Sequence, residues 1–392
     1  MMRIESMTIR NYRVFKDATL ADLPGMCVLV GANGTGKSTL FDVFGFLHDA
    51  LVHNVHNALS KRGGFKEVVS RGQEGPISFE LKFREDEGPL VTYELEIGQR
   101  NGQTVVELER LKYRRGQHGQ PWHFLDFSCG KGKAITNEAE LAKPGTEIER
   151  EDQSLESPDI LAIKGLGQFQ RFKVVSAFRK MLESWLVSDF HIQDARLTPE
   201  IGIAEHLSAQ GENLPLVTQY LYNHQRATFD KILKKMSERV PGVRSVDAAE
   251  TVDGRIVLRF QDGSFKDPFV ARYVSDGTIK MFAYLVLLYD PSPHPLLCVE
   301  EPENQIYPSL LQVLAEEFRM YAERGGQVFV STHSPDFLNG VKLEEIFWLE
   351  KKEGFSVIRR AKDSDLLKNL VAEGDLPGYL WKQGFFEGAD PR

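Results

Sequence analysis

An α/β fold with a mixed sheet, organised around a phosphate-binding loop, is predicted by three features of this chain. The segment Gly31-Ala32-Asn33-Gly34-Thr35-Gly36-Lys37-Ser38 has the spacing G-x-x-x-x-G-K-[ST]. Two later apolar runs end in chemistry-bearing side chains: Leu296 to Val299 leads into Glu300-Glu301-Pro302-Glu303, and Gln327 to Val330 leads into Ser331-Thr332-His333. Each run reads as a short buried strand, and open α/β sheets collect ligands at the carboxyl ends of such strands.

The elements follow in chain order. Arg3 to Ile9 is the opening strand, and Met26 to Val30 is the buried strand that feeds the glycine-rich loop. Ser38 to Leu47 then places Leu40, Phe41, Phe44 and Leu47 at helical spacing. A strand–loop–helix of this kind aims the backbone N–H groups of Asn33 to Ser38 at an anion, where the helix dipole adds to them. Gly31, Gly34 and Gly36 keep the backbone free to approach phosphate. Lys37 supplies a positive charge to the β- and γ-phosphates, and the Ser38 hydroxyl is a ligand for Mg²⁺. The nucleotide-binding set read from the loop is Gly31, Asn33, Gly34, Thr35, Gly36, Lys37, Ser38 and Thr39, with ATP and Mg²⁺ as the expected ligands.

The strand ending at Glu300 has the Walker B pattern. Glu300 suits water-mediated Mg²⁺ binding, and Glu301 suits orienting or deprotonating the attacking water. His333 tops the next strand, where a neutral imidazole can hydrogen-bond a γ-phosphate. Val274-Ser275-Asp276-Gly277-Thr278 precedes the helical run Ile279 to Tyr289. Ser275, Gly277 and that helix N-terminus make a second anion site. One γ-phosphate does not need two such sites, so a partner subunit is expected to share them.

In this order, Gly-x-Asn-Gly-x-Gly-Lys-Ser, Ser-Asp-Gly-Thr, Glu-Glu-Pro-Glu-Asn and Ser-Thr-His-Ser-Pro resemble the ABC-type ATPases of the SMC, RecF and OLD group. Asn11-Tyr12-Arg13-Val14-Phe15 is similar to the opening of the same group, and adds Arg13 to the nucleotide-binding set. The stand-alone bacterial AAA family ATPases, some of which power antiphage defence beside a separate effector, are the nearest in pattern. The resemblance implies a two-lobed ATPase head, a head-to-head homodimer or higher homo-oligomer, and two ATP molecules sandwiched between Walker A and the opposing signature. It also implies a metal-site glutamine, which falls on Gln73. Many relatives have Asp-Glu where this chain has Glu300-Glu301, so the assignment of the base between Glu300 and Glu301 stays open.

A β-rich lobe with Walker A over residues 1–130, a mostly helical insertion with an acidic connection over 131–250, and a lobe with the signature, Walker B and His333 over 251–392 are expected. Strands Leu90 to Ile97 and Thr104 to Leu111 flank an Asn101-Gly102 hairpin turn. Residues 146–158 read as a mobile connection, and Gln168 to Trp185 and Leu214 to Val240 as helices. Arg255 to Phe260, Phe265 to Val270, Leu343 to Leu349 and Phe355 to Arg359 read as strands. No heptad pattern runs long enough for an extended coiled coil.

The 392 residues carry 48 Lys and Arg against 56 Asp and Glu, a net charge of −8 that does not advertise nucleic-acid binding. Two basic clusters, Arg110 to Arg115 and Lys231, Lys234, Lys235 and Arg239, leave DNA as a possible partner. The three cysteines form no C-x-x-C pair, which argues against zinc or a disulfide framework. The longest apolar run, Met281 to Tyr289, is far shorter than the roughly 20 residues of a membrane helix, so a cytoplasmic protein without membrane partners is expected. Asp363-Ser364-Asp365 reads as a surface turn, which leaves any nuclease-like effector to a separate polypeptide. The function expected is ATP hydrolysis driving dimer closure, in a defence or DNA-processing system. A RecF-like DNA-binding repair ATPase and a nucleotide-stabilised oligomeric scaffold are the alternatives.

Overall fold

Side-chain alternation in one short strand, Met26–Val30, decides how the layers stack. All five residues are buried, with Cys27 and Leu29 in one apolar core and Met26, Val28 and Val30 in another. Successive side chains of a strand point to opposite faces, so a run this apolar requires cover on both. The same division holds in Leu296–Glu300, where Leu296 and Cys298 face the first core and Leu297 and Val299 the second. In Gln327–Ser331 it separates Phe329 from Val328 and Val330.

This computed structural model describes residues 2–86, 88–113, 122–137 and 149–389. Among them, a six-stranded sheet has the order Leu186–Ser188, Leu296–Glu300, Gln327–Ser331, Met26–Val30, Ile346–Lys352, Phe355–Arg360. The first five strands run parallel and the last is antiparallel. The mixed sheet expected from the sequence is therefore present, and no long coiled coil occurs among the described residues.

One face of this sheet is covered by the Lys37–Val52 helix, through Leu40, Phe44 and Leu47. Phe44 lies 4.9 Å from Phe329 and 5.4 Å from Trp185, ring centroid to ring centroid. The same core continues into an eight-stranded antiparallel sheet that begins with Phe15–Leu20 and Met2–Tyr12 and ends with Lys131–Ile135 and Arg150–Ser154. The other face is covered by the Asp276–Leu288 and Leu311–Glu323 helices, with a three-stranded sheet, Val243–Glu250, Ile256–Asp262 and Phe269–Val270, in the same core. Gln327, 1% exposed, ties the layers together. Its amide donates to the Ile4 and Pro24 carbonyls and accepts the Ile4 N–H at 3.0 Å.

The hairpin turn at Asn101-Gly102 forms as expected, with φ of 52° and 79°, between Val91–Arg100 and Gln103–Tyr113. Other expectations need correction. The described residues of 131–250 are not mostly helical: they contain five helices but also the strands Lys131–Ile135, Arg150–Ser154, Leu186–Ser188 and Val243–Glu250. Arg150–Ser154, inside the expected mobile connection, is an edge strand, because ladder pairing to Lys131–Ile135 outweighs its polar composition. The single helix expected over Leu214 to Val240 is two, Leu214–His224 and Arg226–Arg239, broken at Gln225 where φ is −132° and ψ is 47°. Phe265 to Val270 pairs only at Phe269–Val270. Ser364 of the Asp-Ser-Asp turn caps the Asp365–Ala372 helix.

Most described members of the two basic clusters have internal partners. Arg110 pairs with Asp126 at 2.8 Å and Lys112 with Glu94, while Arg114 and Arg115 lie outside the described residues. Lys235 and Arg239 face Glu317, itself 1% exposed, at 3.1 and 3.7 Å. Lys231 lies over the Tyr289 ring. Among the described residues, Arg110, Lys112, Lys235 and Arg239 are thus committed to carboxylates within the fold and are less available to a phosphate backbone.

Glu109 is a fully buried carboxyl group on the Gln103–Tyr113 strand. It accepts the Ala162 and Ile163 N–H groups at 2.5 and 3.0 Å and the Tyr93 hydroxyl at 3.1 Å. The Ala162–Leu166 helix has no side-chain cap of its own, so Glu109 serves its orphan donors from a distance. Burial pushes the Glu109 pKa up to about 7, against the opposing pull of the three hydrogen bonds. The folded protein thus holds a proton that the unfolded chain releases near 4.5, and stability falls as pH rises through that window. Urea unfolding at pH 5 and pH 8 is expected to show this loss, on the order of 3 kcal/mol, in the wild type and a much smaller loss in Glu109→Gln.

Candidate active site

The carboxyl ends of three adjacent parallel strands, Met26–Val30, Gln327–Ser331 and Leu296–Glu300, deliver the glycine-rich loop, His333 and the Glu300-Glu301 pair to one side of the sheet. The loop turns on glycine. Gly36 has a φ of 103°, and a Cβ there would stand 2.8 Å from Val14 and 2.9 Å from the Ser356 hydroxyl. Gly31 is closed in by the Leu349 carbonyl, 2.6 Å from an added Cβ. Gly36 is also the N-cap of the Lys37–Val52 helix and supplies no side-chain cap. The first N–H groups of that 16-residue helix therefore remain without a side-chain acceptor, the arrangement that favours a bound anion.

Lys37 is 7% exposed, and its ammonium donates to the Gly31 and Ala32 carbonyls at 2.8 and 3.2 Å. Burial lowers its pKa, opposed by Glu301, Glu300 and Glu303. Thr35 is buried, its hydroxyl donating to the Ala32 carbonyl at 2.8 Å. Asn33 and Gly34 are exposed at the loop tip, and Thr39 is half-buried.

The Ser38 hydroxyl donates to Glu300 at 2.7 Å, across 262 positions of sequence. Burial raises the Glu300 pKa, with the Ser38 hydrogen bond opposing and the charges of Glu301 and Asp189 adding to it. Glu301 adopts a left-handed backbone, φ 43°, pinned by its N–H to the Ser331 carbonyl at 2.9 Å. Such a conformation costs about 1–3 kcal/mol and persists where surrounding contacts impose it. The Glu301 carboxylate accepts from the Asn304 amide at 3.0 Å and lies 3.6 Å from His333 Nε2. Burial and the nearby Lys37 charge lower the His333 pKa, with Glu301 opposing, which favours the neutral imidazole.

Glu303 does different work. Its carboxylate accepts the Thr332 hydroxyl at 2.9 Å and the His333 N–H at 2.5 Å, bracing the end of one strand against the end of the next. Burial raises its pKa, with the His333 N–H opposing.

The remaining expected residues are not joined to this centre. Ser275 caps the Asp276–Leu288 helix through Thr278, and Gly277 packs where an added Cβ would stand 2.7 Å from the Gln305 carbonyl. Neither has a partner in the glycine-rich loop. Arg13 pairs with Asp42, one turn past Ser38, at 3.2 Å. Gln73 donates to the Gly72 carbonyl in a surface turn, and no hydrogen bond links it to Ser38 or Glu300.

Several neighbours of the site escaped the sequence reading. Lys280 is 4% exposed and donates to the Asn304 carbonyl at 2.9 Å, tying the Ser275–Thr278 turn to the loop that carries Glu301. Burial lowers its pKa to about 8, against the pull of Glu303 and Glu301. A lysine interrupting the apolar run Ile279 to Tyr289 was the available signal. Arg196 grips Asp276 and the Val274 carbonyl, both at 2.6 Å. Asp189 follows the three-residue strand Leu186–Ser188, too short to show a period. With Lys280, Glu300, Glu301 and Asn304 it lines a cleft of about 620 Å³.

Glu303→Ala is expected to destabilise the fold by about 1–3 kcal/mol for each polar group left without an acceptor, and Glu303→Gln by less, as read from denaturant midpoints. Asn304→Ala removes the donor that holds the Glu301 carboxylate, and is expected to lower activity while leaving the unfolding midpoint nearly unchanged.

Similarity to known proteins agrees with this geometry. The chain matches "DNA replication and repair protein RecF" of Corynebacterium jeikeium (strain K411) at 27% identity over 139 residues, about a third of each protein. Its fold is similar to that of an SmcHead bound to the C-winged helix domain of ScpA, with a TM-score of 0.54 and 15% identity over 91% of this chain and 97% of that one. It is also similar to the Smc head domain with an extended coiled coil from Pyrococcus furiosus, with a TM-score of 0.53 and 13% identity over 96% of this chain and all of the other. The SMC-head fold and the RecF match agree with the SMC and RecF part of the sequence resemblance. Residues 26–339, spanning every strand that carries the site, match one ATPase-like family, and the chain belongs to it: "AAA domain, putative AbiEii toxin, Type IV TA system".

Proposed function

We propose that the protein is a Mg²⁺-dependent ATPase whose hydrolysis is completed when two copies close head to head over nucleotide. The observation that carries this reading is the hydrogen bond from Ser38 to Glu300 at 2.7 Å, beside Glu301 and His333 and at an uncapped helix N-terminus. A hydroxyl and a carboxylate are the hard oxygen donors that Mg²⁺ takes. Among the described residues no group of three or more His, Cys, Asp or Glu forms a metal site by itself. Ser38 and Glu300 would hold the ion, and phosphate oxygens and water would complete its oxygen shell, the usual arrangement for Mg²⁺ at a nucleotide. When bound, it neutralises charge developing on the phosphates.

The protein's own groups have separable roles. Lys37 and the loop N–H groups hold the phosphates. Glu301 orients and deprotonates the attacking water, with Asn304 fixing one of its oxygens and His333 within reach of the other. Glu300 is engaged by Ser38, and Glu303 by Thr332 and the His333 N–H, which favours Glu301 as the base. Ser275 and Gly277, unattached to their own loop, are the groups a second copy would present to it. Gln73, in its surface turn, has no such argument behind it.

We assign the protein a role as the ATPase and sensing subunit of a system whose effector, nuclease-like in the reading we favour, is a separate protein. Internal pairing of Arg110, Lys112, Lys235 and Arg239 favours this over a DNA-binding repair ATPase. Among the described residues no helix is long and apolar enough to cross a membrane.

Lys37→Ala is expected to abolish ATP binding in equilibrium titration. Glu301→Gln is expected to retain binding, accumulate a dimer with ATP in light scattering, and hydrolyse at least about 10²-fold more slowly. A wild-type rate in Glu301→Gln would remove it as the base. Duplex DNA is expected to leave the hydrolysis rate unchanged, and a several-fold rise on adding DNA would favour the repair reading.

A further inference from the structure

The outer wall of the glycine-rich loop is the hairpin formed by Ile346–Lys352 and Phe355–Arg360. Its first strand pairs in parallel with Met26–Val30, and the Leu349 carbonyl closes over Gly31. Its second strand is clamped to the loop: the Ser356 hydroxyl donates to the Thr35 carbonyl at 2.6 Å, and the Ser356 N–H to the Val14 carbonyl at 2.8 Å. Lys351, directly opposite Ser356 in the hairpin register, is held by this clamp at a defined place.

Its ammonium stands 3.9 Å from the position a Cβ on Gly34 would take, at the tip of the phosphate-binding loop. The nearby acid is already shared, since Glu350 takes both Lys352 at 3.2 Å and Arg359 at 2.8 Å. Among the described residues no carboxylate lies within ion-pair distance of Lys351, which is exposed to solvent. An unpaired cation on a rigid hairpin, beside backbone N–H groups that favour an anion, has the polyphosphate as its natural counter-charge.

We propose that Lys351 is a second phosphate-contacting lysine of the site, supplied by the hairpin and acting beside Lys37 on the polyphosphate of a nucleoside triphosphate. The inference rests on the nucleotide-site reading above. Because the side chain is exposed, its attraction is solvent-screened and its share of binding is moderate, unlike that of the buried Lys37.

The test is titration of fluorescent N-methylanthraniloyl-ATP with Mg²⁺ into wild type, Lys351→Ala, Lys351→Arg and Lys37→Ala. Expected are about tenfold weaker binding by Lys351→Ala at low salt, a deficit that shrinks toward about 0.3 M salt, and near-wild-type binding by Lys351→Arg. The thermal midpoint of nucleotide-free Lys351→Ala should stay close to that of the wild type, since the exposed side chain makes no ion pair among the described residues. Wild-type binding by Lys351→Ala while Lys37→Ala fails to bind overturns this proposal and leaves the nucleotide site standing. Wild-type binding by Lys37→Ala overturns the nucleotide-site reading, and this proposal with it.

Discussion

The parallel pairing of Met26–Val30 between Gln327–Ser331 and Ile346–Lys352 is the constraint on which the rest of this structure depends. A strand buried on both faces cannot shift register by one residue without exchanging its two apolar sets, so both cores hold it in place. With the register held, the strand ends are held too. The glycine-rich loop, Thr332-His333 and Glu300-Glu301 leave the sheet at the same edge because their strands start level and run the same way. Gln327 joins this framework to the opening strand through two hydrogen bonds to Ile4, with a third to the Pro24 carbonyl, so the antiparallel layer is anchored at the same place.

The candidate site shows how hydrogen bonding divides three neighbouring carboxylates of one chemical type. Glu300 is taken by a hydroxyl from the P-loop helix, and Glu303 by a hydroxyl and an N–H from the adjacent strand. Glu301, between them, has only the Asn304 amide and the nearby imidazole. Its backbone is left-handed, with a φ of 43°. The two helix starts are divided in the same way. Ser275 satisfies its helix from within, whereas Gly36 contributes no side chain and leaves the N–H groups of the Lys37–Val52 helix available.

Contacts that join distant segments hold these parts in relation. Lys280 and Gly277 bring the start of the Asp276–Leu288 helix against the loop that carries Asn304, and Asn304 touches Glu301. Two hydrogen bonds thus link that helix to the Glu301 carboxylate by way of Asn304.

Local rules determined much of this protein from the sequence alone. The glycine spacing, the Asn101-Gly102 turn and the apolar runs before Glu300 and Ser331 each depend on a few adjacent residues, and the strand–loop–helix and mixed α/β class follow from them. What depended on partners far away in sequence was decided by tertiary structure. The polar segment Arg150–Ser154 is a strand because an edge was open to it, and the apolar periodicity of Leu214 to Val240 did not reveal the break at Gln225. Lys235, Arg239 and Glu109 look like surface charges in sequence, yet their counterparts lie on other elements and draw them inward. The position of Lys351 against Gly34 is of the same kind, since a hydrogen bond between residues 321 positions apart sets where that hairpin lies. A chain reports its short-range preferences residue by residue, whereas burial and charge pairing are properties of the packed whole.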